Sequence, residues 1–171
     1  MDKLVIRQAA AADMAAVRAL CWDYRAALVE RNQATPEVVE RYYKADTYAE
    51  LLTQLPLLHT RPDGAIFVAV LDGTIVGCGM TLRIDAQTCE IKRVFVAPAA
   101  RGHGVARKLC SAAMDRARED GYQRMVLDTM RCLTEAIKLY QNMGFSICAP
   151  YHNLNPDHAE HILFFEKRLT E

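Results

Sequence analysis

The chain has 171 residues, 51% of them apolar, and its 21 Lys and Arg balance its 21 Asp and Glu. That length fits one domain over residues 1–171, large enough to bury roughly two thirds of its unfolded surface without staples. Charge neutrality argues against non-specific nucleic-acid binding, and no apolar run approaches the ~20 residues of a membrane span, so neither nucleic acid nor membrane is an expected partner.

Leu4-Val5-Ile6-Arg7 opens as a short strand. Met14, Val17, Cys21, Tyr24 and Leu28 then recur at helical spacing, with Asp13 as the expected N-cap. Thr35-Pro36-Glu37 spells a second helix start, with a capping hydroxyl, a first-turn proline and an acid near the positive end. That helix is expected to run toward Leu52 and to stop before Pro56, with a loop from His59 to Gly64. Ile66 to Leu71 is a continuous apolar run, Asp72-Gly73 is a hairpin turn, and Thr74 to Leu82 returns. Gly77 and Gly79 suggest a bulge or a close backbone approach in that return strand. Cys89 to Val96 is the next strand, ended by Pro98.

Gly104 to Glu119 reads as a helix with Gly121 as its cap, and Met125 to Thr129 as a strand. Thr134 to Met143 is a helix ended by Gly144. The Ile147 region and Ile162 to Leu169 supply the last strands. An antiparallel meander feeding a βαβ unit makes an α/β (α+β) mixed sheet with helices on its faces. Cys21, Cys78, Cys89, Cys110, Cys132 and Cys148 spell no zinc knuckle or redox pair. They read as small buried hydrophobes in a reducing compartment, and no metal is expected. Met1-Asp2-Lys3 leads into the first strand without a secretory pattern, so a cytoplasmic location is expected.

One turn carries the chemistry. The strand ending at Val96 passes through Ala97-Pro98-Ala99-Ala100 into Arg101-Gly102-His103-Gly104-Val105-Ala106, where a helix begins. The first N–H groups of a helix lack internal partners and sit at its positive end, which favours phosphate. Glycines let a pyrophosphate approach those amides, and Arg101 and Arg107 add positive charge. No Gly-Lys-Ser/Thr follows, so this is no P-loop. Arg107 stands where a dinucleotide fingerprint needs its third glycine, and five residues separate strand from first glycine, although Asp128 ends the next strand. Taken alone, the turn is also compatible with a glycine-rich bend carrying solvated arginines.

Two segments make the reading specific. Arg101, Gly104 and Ala106 fill the pattern Gln/Arg-x-x-Gly-x-Gly/Ala, and the segment resembles motif A of the GNAT superfamily of N-acetyltransferases. Cys89 to Val96 looks like that superfamily's central strand. Ala136-Ile137-Lys138-Leu139-Tyr140-Gln141-Asn142-Met143-Gly144-Phe145 resembles motif B, with its Leu-Tyr and Gly-Phe pairs. The resemblance implies a GNAT-like mixed, mostly antiparallel central sheet of about seven strands with helices on both faces. One departure stands out: Leu133 occupies a position where many members carry asparagine.

The resemblance further implies acetyl-CoA as co-substrate and direct attack of an amine on its thioester in a ternary complex. Val94, Phe95 and Val96 would offer backbone groups to pantetheine. Arg101, Gly102, His103, Gly104, Val105 and Ala106 would form the pyrophosphate turn, with His103 a surface position over the phosphates. Tyr140 would be the general acid for the departing thiolate; a packed tyrosine is the structural alternative. Glu90 is the expected base, directly or through water, and otherwise a carboxylate paired with Lys92 or Arg93. Tyr151-His152-Asn153 and the tyrosines Tyr42, Tyr43 and Tyr48 are possible acceptor walls and equally ordinary loop or packing residues. The acceptor would be a small-molecule or peptide amine, and homodimers are common in the superfamily. A non-catalytic acyl-CoA sensor on the same fold would need the turn but neither Tyr140 nor Glu90.

Overall fold

The computed structural model describes residues 3–170. Met1 and Asp2, on which the reading of the chain's start rests, lie outside the described residues. Strand β1 (Leu4–Gln8) leads to helices α1 (Met14–Arg31), α2 (Pro36–Tyr42), α3 (Ala45–Thr53) and α4 (Leu55–Leu58). Strands β2 (Gly64–Leu71), β3 (Thr74–Arg83) and β4 (Thr88–Val96) follow. Then come α5 (Val105–Glu119), β5 (Arg124–Met130), α6 (Thr134–Asn142), β6 (Ser146–Ile147), α7 (Pro156–Ala159) and β7 (Ile162–Arg168). The seven strands form one sheet in the order β1-β2-β3-β4-β5-β7-β6. Every pairing is antiparallel except that of β4 with β5. None of the described helices is long and apolar enough to cross a membrane.

Each face of the sheet has its own core. Ala65, Phe67 and Ala69 of β2 point toward α5 and pack with Leu109, Ala113 and Ala117. Ile66 and Val68 point the other way, toward Val17, Leu20 and Cys21 of α1 and Leu52 of α3. This explains the unbroken apolar run of β2: a strand covered on both faces has no polar side. The bulge expected near Gly77 and Gly79 is present, since the β3–β4 register slips between Cys78 and Met80. All six cysteines are free, and four of them are buried.

One expectation is sharpened and one is corrected. Asp13 stands at the N-cap of α1, but its side chain makes no capping bond there; it also ends a preceding 3-10 turn, Ala11–Asp13, and its carboxylate reaches back to the Ala10 N–H at 2.7 Å. The Arg7 guanidinium donates to it at 2.6 Å. Those bonds, the Arg7 one foremost, hold its pKa down at about 2. A depressed folded-state pKa gives stability that is present above the ordinary aspartate value and lost as pH falls toward 2. Asp13→Asn should therefore lower Tm at neutral pH, and the deficit should shrink between about pH 4 and pH 2 in parallel melts.

The expected single helix from Pro36 toward Leu52 is instead α2 and α3, broken at Tyr43 and Lys44. Arg25 Nε on α1 donates to the Tyr43 carbonyl at 2.7 Å, which removes that oxygen from any helical continuation. Lys44 is extended, at φ −52° and ψ 127°. Thr35 stands at the N-cap of α2, but its side chain makes no capping bond.

Candidate active site

Beyond Glu90, strand β4 is held along one edge only. It pairs with β5 solely over Thr88–Glu90 against Arg124–Val126. Beyond Glu90 the two strands diverge, while β3 continues alongside β4 to Val96. The divergence opens a cavity on each side of the wedge. The first, about 360 Å³, is lined by Val94, Phe95, Val96, Arg101, Gly102, Gly104, Val105, Ala106 and side chains of α1 and α6. The second, about 410 Å³, is lined by Tyr42, Tyr43, Tyr48, Lys92, Arg93, Asp128 and neighbours. Tyr24, Val94, Leu133, Ala136 and Tyr140 border both.

The turn at the first cavity is built as its residues require. Gly102 and Gly104 adopt φ of 84° and 69°, a region that side-chain-bearing residues occupy at a cost. A Cβ at either position would meet no protein atom within 4 Å. Packing therefore does not demand these glycines; the backbone conformation and the open space in front of them do. Lys108 makes the first intrahelical bond of α5, to the Gly104 carbonyl at 3.1 Å. From Gly102 to Arg107 no backbone N–H has a partner among the described residues. These unpaired donors, at the positive end of a 15-residue helix, form an anion cradle.

Two expected members of the turn behave differently. Arg101 is turned inward: its Nε donates to the Val96 carbonyl at 3.2 Å, and its guanidinium lies 5.7 Å from the Phe95 ring centroid. Thus the Val96 carbonyl already has a donor, and Arg101 braces strand to turn. His103 is exposed, and its side chain is not part of the cavity wall. Leu133 lines both cavities with a purely apolar side chain, so the contact that asparagine would give is absent there.

Tyr140 stands where the two cavities meet. It is 8% exposed, packed edge-on against Phe145 at 5.9 Å and tilted against Phe165 at 6.3 Å. The end of α6 explains its placement. Gly144, at φ 89°, turns the chain so that Phe145 N–H donates to the Tyr140 carbonyl at 3.0 Å and Gly144 N–H to that of Gln141. Such a glycine cap brings the residue after it onto the last helical turn, and here the contact is Phe145 on Tyr140. The Leu-Tyr and Gly-Phe pairs of the sequence are thus one mechanical unit. Burial pushes the Tyr140 pKa well above that of a free phenol. Its hydroxyl has no partner among the described residues and is not sealed from the cavities.

Glu90 is 4% exposed and fully engaged. One carboxylate oxygen accepts from Lys92 Nζ at 2.9 Å, and the other accepts the Tyr151 hydroxyl. It does not line the second cavity. Asp128, two residues beyond Glu90's neighbour Val126 on β5, does. Asp128 Oδ2 accepts the Tyr42 hydroxyl at 3.0 Å and lies 2.6 Å from His152 Nε2. Carboxylate oxygens of Glu90 and Asp128 and a ring nitrogen of His152 lie within 4.8 Å of one another. Tyr42, Tyr43 and Tyr48 line this cavity, whereas Tyr151 and His152 lie behind its wall, bonded to Glu90 and Asp128. Asp128 and Arg93 were not singled out from sequence for this cavity. The available signal for Asp128 was a carboxylate directly after the apolar run Met125-Val126-Leu127; β4 carries Glu90, Lys92 and Arg93 together, so nothing marked Arg93 out.

The GNAT acetyltransferase family model matches residues 22–145, well over half of the chain. An IAA acetyltransferase of Azospirillum brasilense is 36% identical over 78% of this chain and 87% of its own length. An uncharacterized N-acetyltransferase of Escherichia coli is 37% identical over 55% of this chain, and the match spans only 58% of that relative's length. An acetyltransferase from Salmonella typhimurium, solved with its cofactor acetyl-CoA, superposes with TM-score 0.67 over 99% of this chain and 95% of its own, at 22% identity. The wedge between β4 and β5, the glycine turn and the family match agree: the chain belongs to the acetyltransferase (GNAT) family.

Proposed function

We propose that the protein transfers the acetyl group of acetyl-CoA to a primary amine held in the second cavity, by direct attack within a ternary complex. The observation that carries this reading is that the two cavities meet at Val94 and Tyr140. Acetyl-CoA enters the first, its pyrophosphate on the N–H groups of Gly102 to Arg107 and its pantetheine arm along Val94 to Val96. The acyl group then lies at the junction, where the acceptor amine reaches it from the other side. The Salmonella relative, whose cofactor is acetyl-CoA, shares the fold.

The amine must arrive without its extra proton. Asp128 is the carboxylate that faces the cavity, and it receives that proton, with His152 beside it. Glu90 acts behind it as a positioning residue, holding Lys92 and Tyr151. The amine nitrogen attacks the thioester carbonyl carbon, and a backbone N–H of the splayed strand stabilises the developing oxyanion. The nitrogen, which now carries one proton too many, releases it to solvent in the cavity, and the C–S bond breaks as the neutralised tetrahedral species collapses. The thiolate takes the Tyr140 hydroxyl proton, and solvent in the cavity restores it.

Acetyl-CoA should raise Tm in a concentration-dependent way, because a ligand bound to the folded state stabilises it. Absence of any shift at millimolar acetyl-CoA contradicts the donor assignment. Asp128→Asn should lower kcat/KM roughly 100-fold near neutral pH. Its pH–rate profile should then follow the free-amine fraction, recovering as pH rises past about 8 for an α-amine. A variant with an unaltered profile would remove Asp128 from the proton path.

A further inference from the structure

We infer that Arg93 is an anion-binding subsite for the acceptor, and that the acceptor is an amino acid, a small amine bearing a carboxylate. The inference rests on the reading of the second cavity as the acceptor site.

Arg93 occupies an unusual position. Cys78 pairs with Phe95 and Met80 with Lys92, so Arg93 and Val94 together oppose Gly79 alone. The bulge places Arg93 at φ 51°, which a long side chain adopts only where the surroundings enforce it. One consequence is that Lys92, Arg93 and Val94 all border the second cavity, where strict alternation would have turned one of them away.

The charge of Arg93 is uncompensated. Among the described residues it makes no ion pair with any carboxylate. Its Nε is sealed from solvent and has no hydrogen-bond partner, and its Nη1 meets only the Met80 sulfur, at 3.9 Å. Lys92 beside it differs, being paired with Glu90 at 2.9 Å. Around Arg93 the wall is aromatic, with Tyr24, Tyr43 and Tyr48. A guanidinium in such a setting is costly unless an anion joins it. Its planar fork matches a carboxylate in two parallel bonds.

The wall of the cavity therefore carries two unlike charges. Asp128 draws an ammonium group, and Arg93 draws a carboxylate. A zwitterion satisfies both at once. Its amine, once deprotonated by Asp128, lies at the end of the cavity that Tyr140 and Val94 share with the donor cleft.

The test compares amino acids with their carboxamides, which keep the amine and lose the negative charge. Thiol release from acetyl-CoA and thermal shift of the CoA-loaded protein are measured for both sets. Wild type should favour acids over amides roughly 10- to 100-fold, the range for a hydrogen-bonded charge. Arg93→Met should bring that ratio near one while the thermal shift by acetyl-CoA persists, which also shows that the variant folds. Equal treatment of acids and amides by wild type, with thiol released, would overturn the subsite and leave the transferase reading standing. Retained acid preference in Arg93→Met would overturn the role of Arg93. Acid-selective thermal shifts without thiol release would uphold the subsite and contradict the transferase reading.

Discussion

Tyr140→Phe should reduce kcat by roughly 100- to 10,000-fold, the range for loss of a positioned general acid. The affinity for acetyl-CoA should stay within about a factor of three, since the lost interaction forms only as the C–S bond breaks. Phenylalanine keeps the contacts with Phe145 and Phe165, so the fold should be nearly unaffected. The chemistry supplies a sharper readout. Proton donation matters less when the leaving thiol is more acidic, so the defect should shrink with an acyl donor built on an aryl thiol. Single-turnover measurements with the two donors check this. A defect equal for both would assign Tyr140 to packing. Because burial raises the Tyr140 pKa, its hydroxyl stays protonated through neutral pH, and no alkaline loss of activity should trace to it in that range.

Gly104→Val should weaken acetyl-CoA binding at least about 100-fold, as if two charge-assisted bonds were lost together. Two physical effects combine. A β-branched residue at φ 69° is strained, and the space its side chain would fill is the space in front of the unpaired amides. Because no protein atom lies within 4 Å of the added Cβ, the folded core should be undisturbed. Titration calorimetry and the apo-protein melt separate the two. Binding weakened far more than stability, with an apo Tm lowered by only several degrees from the strain at φ 69°, is the expected pair of results. Full-strength binding would mean that the pyrophosphate lies elsewhere. Gly104→Ala should fall between the variant and wild type.

What the sequence made legible was local. The glycine turn follows a strand and opens a helix within a few residues, and the positive φ of Gly102 and Gly104 is a property of those residues themselves. Tyr140 was legible because the glycine cap and Phe145 that hold it lie within five residues of it. The hairpin at Asp72-Gly73 and the two-sided core of β2 follow likewise from short patterns. What escaped depended on distant partners. The break after α2 is made by Arg25, which bonds a carbonyl 18 residues away. Asp128 gains its place in the acidic cluster from Tyr42, 86 residues back, and His152, 24 residues on. Glu90 was legible as a carboxylate on β4 beside Lys92, but its engagement by Tyr151, 61 residues away, was not. Arg93 escaped because a bulge reverses strand alternation, and the slip against β3 shows itself only when the two strands are aligned. The inward turn of Arg101 toward Phe95 and Val96 was hidden for a related reason: a motif names the residue and not the atom it touches.

The central claim is that donor and acceptor occupy two cavities at once and react where Tyr140 joins them. Initial rates of thiol release, with acetyl-CoA and an amino acid varied against each other, test it most directly. The structure predicts release that needs both substrates, with intersecting double-reciprocal lines. Parallel lines, the mark of a covalent acetyl-enzyme, or no release from protein that binds acetyl-CoA, would contradict it.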